Sequence, residues 1–158
     1  MEIALIKEIK KEYLEATKCY ENEIENYSSD VLPNSFINLA FIYWCFAFEF
    51  SIPEDIPEDY SVIGGNRYQK ILELGLSYYP NNTELHFWKK YFQHIIYGEE
   101  FSEKDCKLLI EKYGDSIVPY FFLYLFDKNK YEKQRNELII DAKELPTAKN
   151  LYIKSLIE

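Results

Sequence analysis

The sequence predicts an all-α fold. Apolar residues recur at spacings of three and four along nearly the whole chain. Glycine and proline are scarce, 5 and 6 of 158 residues, which argues against sandwiches and other turn-rich β folds. The punctuation that does occur consists of helix stops and starts rather than hairpin turns. The length suits one domain, residues 1–158, and the 47% hydrophobic content is enough for a real core.

Each element has its own signal. Ile3, Ile6, Ile9, Tyr13, Ala16, Tyr20, Ile24 and Tyr27 keep helical spacing and predict a first helix over 3–27. Ser28-Ser29-Asp30 and Pro33 end it. Asn34 or Ser35 caps a second helix, 35–50, apolar nearly all round. A helix of that kind is buried on several sides or lines a binding surface. Residues 51–65, SIPEDIPEDYSVIGG, contain two prolines, two glycines and four acids, and read as one long acidic loop. A third helix, 66–79, stops at Tyr79-Pro80-Asn81-Asn82, and a fourth, 83–97, stops at Gly98. Ser102 with Asp105 three residues on resembles a capping box for a fifth, 103–113, closed by Gly114. A sixth, 116–126, is again apolar, and a seventh, 129–144, is amphipathic and charged. Pro146 sits at the first turn of an eighth, 147–157. Segments 36–48 and 117–126 are rich in β-favouring aromatics, but every neighbour is helical.

Charge narrows the partners. The chain has 27 acids and 18 bases, net −9. Residues 1–50 carry net −5, residues 51–100 net −4, and residues 101–158 net 0. Nucleic-acid binding needs lysine and arginine to displace phosphate counterions, so nucleic acid is not expected as a partner. A basic protein or peptide is. The N-terminus alternates acids and bases and lacks the apolar core of a signal peptide. The longest apolar run, Phe36–Phe48, is shorter than the ~20 residues of a membrane helix. Cys19, Cys45 and Cys106 are odd in number and widely spaced, and read as reduced core thiols of a cytoplasmic protein.

Helices in series invite a search for a repeat. Phe36-x2-Leu39-Ala40-x2-Tyr43 places a large residue, a leucine, a small residue and an aromatic on one helical face. Tyr13-x2-Ala16-x3-Tyr20 precedes it, and Leu72-x2-Gly75-x4-Pro80 follows. Phe87-Trp88-x2-Tyr91 with Gly98, and Tyr120-x2-Leu123-Tyr124 with Tyr131, Leu138 and Pro146, continue the pattern. The spacing resembles a degenerate tetratricopeptide repeat. That resemblance implies antiparallel helical hairpins stacked as a short right-handed solenoid. Physically, Ala16, Ala40 and Gly75 are the small residues that let paired helices approach. The pattern departs at Tyr68, Trp88, Lys104 and Gln134, where the repeat wants something small. The unit from Pro33 to Pro80 is also longer than the ~34 residues expected.

Little points to chemistry. His86 and His94 lie eight apart on one helix, about 12 Å at 1.5 Å per residue, too far to share a zinc ion. No G-x-S-x-G, phosphate loop or calcium-loop order occurs. Gly64-Gly65-Asn66-Arg67 reads as a loop-to-helix turn. No metal, cofactor or catalytic residue is therefore assigned.

Binding remains. The resemblance puts Asn34, Ile37, Phe41 and Trp44 on a concave face, followed by Leu85, Lys89, Phe92 and Gln93, then Val118, Phe121 and Leu125. These residues read either as an aromatic groove for a protein partner or as core. Glu54, Asp55, Glu58 and Asp59 would hang beside the groove and steer a basic partner. A small, acidic, helical protein of this kind resembles, in size, charge and architecture, the immunity proteins that neutralise bacterial toxins. A general tetratricopeptide-type adaptor or chaperone for peptide segments is the alternative. An enzyme with a pocket in the aromatic core is a remote third.

Overall fold

The structure, a computed structural model, describes residues 2–28, 30–49 and 56–158. Among them are nine helices and no strand, as the all-α expectation requires. They are α1 (Glu2–Ile9), α2 (Tyr13–Glu25), α3 (Pro33–Phe48), α4 (Asp59–Tyr78), α5 (Thr83–Tyr97), α6 (Glu103–Tyr113), α7 (Tyr120–Phe126), α8 (Glu132–Glu144) and α9 (Ala148–Ile157). No helix among the described residues is long and apolar enough to cross a membrane. The contacts divide the chain into two compact units, Met1–Tyr78 with Thr147–Lys149, and Tyr79–Pro146 with Asn150–Glu158.

Helix α3 starts at Pro33 with Leu32 at its N-cap, so neither Asn34 nor Ser35 caps it. Beyond that shift, the first unit holds two departures from the sequence reading. The expected helix 3–27 is broken between α1 and α2, where Lys11 adopts φ 63°. The reversal is closed by Lys11 N–H to the Glu8 carbonyl, 2.8 Å, and Glu12 N–H to the Lys7 carbonyl, 2.9 Å. Lys7 and Glu12 also pair across it at 2.8 Å. The break changes which face of α1 is covered. Ala4 and Glu8 are buried, while Ile3 and Ile6, expected inside, are exposed.

The second departure is at α4, which starts at Asp59 rather than 66. Residues 59–65 of the expected loop are therefore helical, and 51–55 lie outside the described residues. Gly64 is not a turn residue. A Cβ there would lie 2.2 Å from the Tyr43 carbonyl oxygen of α3, so only glycine permits this approach. α3 and α4 run antiparallel, since Tyr60 meets Phe46 at 5.6 Å and Tyr78 meets Phe36 at 5.8 Å. Helix α3 is apolar all round because it is enclosed all round, from Ser35 to Phe46.

A polar network sits inside this unit. The Tyr20 hydroxyl donates to Glu8 Oε2 at 2.7 Å and accepts from Asn38 Nδ2 at 3.2 Å. Ala148 N–H, at the start of α9, donates to Glu8 Oε1 at 3.0 Å. Glu8 is fully buried, and burial pushes its carboxyl up to about 7 despite these donors and the nearby Lys149 charge.

The second unit follows its caps. Asn82 accepts from Leu85 N–H at 2.9 Å at the start of α5, and Gly98 ends that helix with φ 70°. Ser102 and Asp105 form the expected reciprocal capping box on α6. The Thr83 hydroxyl donates to the Gly114 carbonyl at 2.8 Å, and His86 stacks on Tyr113 at 3.8 Å, so α5 and α6 are antiparallel. Helix α7 starts at Tyr120, after a turn through Ile117–Pro119, rather than at 116. Helix α8 starts at Glu132 rather than 129, because Asp127 accepts from Lys130 N–H at 3.1 Å and holds that stretch as a turn. The core is aromatic. Trp88 contacts Phe87, Tyr91, Phe92 and Phe121 at centroid distances of 5.1–5.6 Å.

Candidate functional site

Helix α2 buries Tyr13, Ala16, Tyr20 and Ile24. The same periodicity leaves Lys18, Glu21, Asn22 and Glu25 on another face, at i, i+3, i+4 and i+7. Helix α4 presents Tyr60 and Ile63, one turn apart, and α3 contributes Tyr43. With Thr17 these residues line an open cleft of about 390 Å³ in the first unit.

One wall is locked. Arg67 Nη2 donates to both oxygens of Glu21, at 2.7 and 2.8 Å, and Nε donates at 3.2 Å. The Tyr43 hydroxyl donates to the same carboxylate at 2.7 Å. Burial and the Glu21 charge both push the Tyr43 phenol up, so it stays a neutral donor. Tyr60 is set by an edge contact with Phe46.

The charges are partly compensated. Arg67 neutralises Glu21, and Lys18 leans on Glu15 at 3.5 Å. Glu25 is exposed and makes no ion pair among the described residues. Glu58 and Asp59, also exposed, immediately precede Tyr60. The cleft and its margin thus combine two tyrosine rings, an isoleucine and an excess of carboxylate. They suit a guest with an apolar stem and a positive end.

The residues expected to line an aromatic groove lie elsewhere. Ile37, Phe41 and Trp44 are at most 4% exposed, and Leu85, Phe92 and Phe121 at most 1%. Phe41 packs on Trp44 at 5.3 Å, and Phe92 and Phe121 both stack on Trp88. These six side chains fill the interior instead of lining an open surface. Lys89 is half-buried. Of the four acids, Glu58 and Asp59 are exposed, while Glu54 and Asp55 lie outside the described residues.

Sequence reasoning passed over Lys18, Glu21, Asn22, Glu25 and Arg67. The first four form a polar stripe beside the buried stripe of α2, but polar stripes are common on solvated helices, and Arg67 on α4 carried no separate signal.

Both histidines and two of the three cysteines are tied into the fold. His86 Nε2 lies 2.7 Å from the Pro80 carbonyl oxygen, and His94 Nδ1 lies 2.7 Å from that of Glu99. Cys45 and Cys106 are free and buried, and burial pushes both thiols up, Cys106 to about 12. Cys19 is free and partly exposed. Among the described residues no three His, Cys, Asp or Glu side chains converge on a common point. No protein-family model matches this chain, and neither a curated protein nor a solved structure matches it.

Proposed function

We propose that the chain is a non-catalytic protein-binding protein that takes a basic partner on the acid-rimmed face formed by α2 and the start of α4. The observation that carries this reading is the cleft itself. It is open and partly aromatic, and Glu25, Glu58 and Asp59 stand exposed on and beside it. A net charge of −9 adds long-range attraction for a basic protein and repulsion for nucleic acid. The concrete form we favour is an immunity protein, which neutralises a toxin by occupying it. Basic nucleases are natural targets for an acidic inhibitor. We place it in the cytoplasm, where its free cysteines stay reduced.

The second reading is a tetratricopeptide-type adaptor for peptide segments, on a short solenoid of stacked hairpins. The antiparallel α3–α4 and α5–α6 pairs support it. The burial of the expected groove residues counts against a peptide lying along that face.

Affinity capture from native cells, eluted by a salt gradient and read by mass spectrometry, tests the proposal. A single stoichiometric basic partner, released by salt and lost with a Glu25→Gln/Glu58→Gln/Asp59→Asn variant, is the expected result. Several substoichiometric partners would favour the adaptor. A partner indifferent to salt and to the variant would overturn the assignment of this face.

A further inference from the structure

We propose that the cleft between α2 and α4 is a pocket for one arginine side chain of the basic partner. This inference rests on the function proposed above and gives it a chemical specificity. A volume of about 390 Å³ lies at the small end of ligand sites. It has room for one long side chain, not for a helix or a folded loop. The lining matches arginine part by part. Ile63 offers apolar surface to the three-carbon stem. Tyr60, half-buried, offers an aromatic ring, on which a planar, weakly hydrated guanidinium stacks better than an ammonium, and the buried Tyr43 holds the Glu21 wall through its hydroxyl. Glu25 offers a carboxylate that no described cation occupies.

The charge balance selects the sign of the guest. Lys18 with Glu15, and Glu21 with Arg67, are compensated pairs. Glu25 is the lining charge without an ion pair among the described residues, and the exposed Glu58 and Asp59 directly precede Tyr60 of the lining. A phosphate or carboxylate guest would face that excess, whereas a guanidinium is drawn to it. The cleft wall already contains such a pairing, since Arg67 forks onto Glu21. That pairing holds Glu21 in place and leaves Glu25 as the group that reads the guest.

The test is a titration of the isotope-labelled protein, followed by amide chemical shifts, with three blocked tripeptides carrying arginine, lysine or citrulline between glycines. The arginine peptide is expected to shift the amides of residues 17–25 and 60–67 in a saturable way. Lysine should bind about threefold more weakly, and the isosteric, uncharged citrulline should not bind. Glu25 is exposed, so Glu25→Gln leaves the fold intact. It should weaken arginine binding about fivefold or more, and Tyr60→Leu roughly threefold. Equal binding of citrulline, or shifts scattered over the acidic surface, would overturn the pocket. Octalysine run alongside separates the two readings. Octalysine binding without arginine-peptide binding overturns the pocket and leaves the acidic face standing. No binding of either overturns both.

Discussion

Replacing Glu8 by glutamine should make the protein more stable at neutral pH, although it removes a hydrogen-bonded side chain from the interior. The Glu8 carboxyl is fully buried, and burial raises it from an ordinary 4.5 to about 7. Three influences pull the other way: the Tyr20 hydroxyl at 2.7 Å, Ala148 N–H at 3.0 Å, and the charge of Lys149. Burial outweighs them. The folded state therefore holds this proton more tightly than the unfolded chain does. That contribution to stability is fully present below pH 4.5 and is lost as pH rises through about 7. At 1.36 kcal/mol for each pH step of one, the whole effect is about 3 kcal/mol, and most of it falls between pH 5 and 8. Glutamine is neutral throughout and keeps an oxygen for Ala148 N–H and a donor for the Tyr20 oxygen. Urea unfolding of both proteins from pH 5 to 8 gives the difference directly, and the titrations common to both cancel. The stability of the native protein relative to the variant should fall by about 2–3 kcal/mol over that range. A flat difference, or one that moves in favour of the native protein as pH rises, would refute the reasoning.

Other outcomes follow from the same contacts. Gly64→Ala should destabilise by about 2 kcal/mol or more, because its Cβ meets backbone at 2.2 Å. Gly65→Ala has ordinary 3.6 Å contact with Ala47 and should stabilise by about 0.5–1 kcal/mol from helix propensity. Chemical denaturation distinguishes these opposite signs. A double-mutant cycle on Glu21→Gln and Arg67→Met should return a coupling of about 1 kcal/mol, modest because both side chains are about a third exposed. Trp44→Ala should cost about 3–5 kcal/mol of stability, since the ring is 4% exposed, and calorimetry should show a correspondingly lower melting temperature. Neutralising Glu54, Asp55, Glu58 and Asp59 together should slow association with a basic partner at low salt and leave dissociation nearly unchanged, as stopped-flow kinetics would show.

The legible parts of the fold were those with local causes. Asn82, Gly98, Ser102, Asp105 and Gly114 set the ends of α5 and α6 by their own chemistry, and both helices start and stop where those residues predict. The break after α1 has no such marker. Lys11 takes a left-handed conformation without being glycine or asparagine, and the tertiary burial of Glu8 and Ala4 goes with it. The start of α4 was hidden for the opposite reason. Two adjacent glycines suggest a turn, and only the close approach of α3 explains Gly64 inside a helix. The aromatic residues of α3, α5 and α7 carry the same signal whether they line a groove or fill a core. Periodicity finds the face of a helix but not what covers it. The acids at 58 and 59 were found by composition. The cleft beside them was not, because it is assembled from α2, α3 and α4 together.

The central claim is that a basic partner binds on the α2 and α4 face. Hydrogen exchange of the protein, free and saturated with the partner obtained by affinity capture, tests it most directly. Slower exchange confined to residues 17–25 and 58–67 is the predicted result. Protection elsewhere, with those segments unchanged, would contradict it.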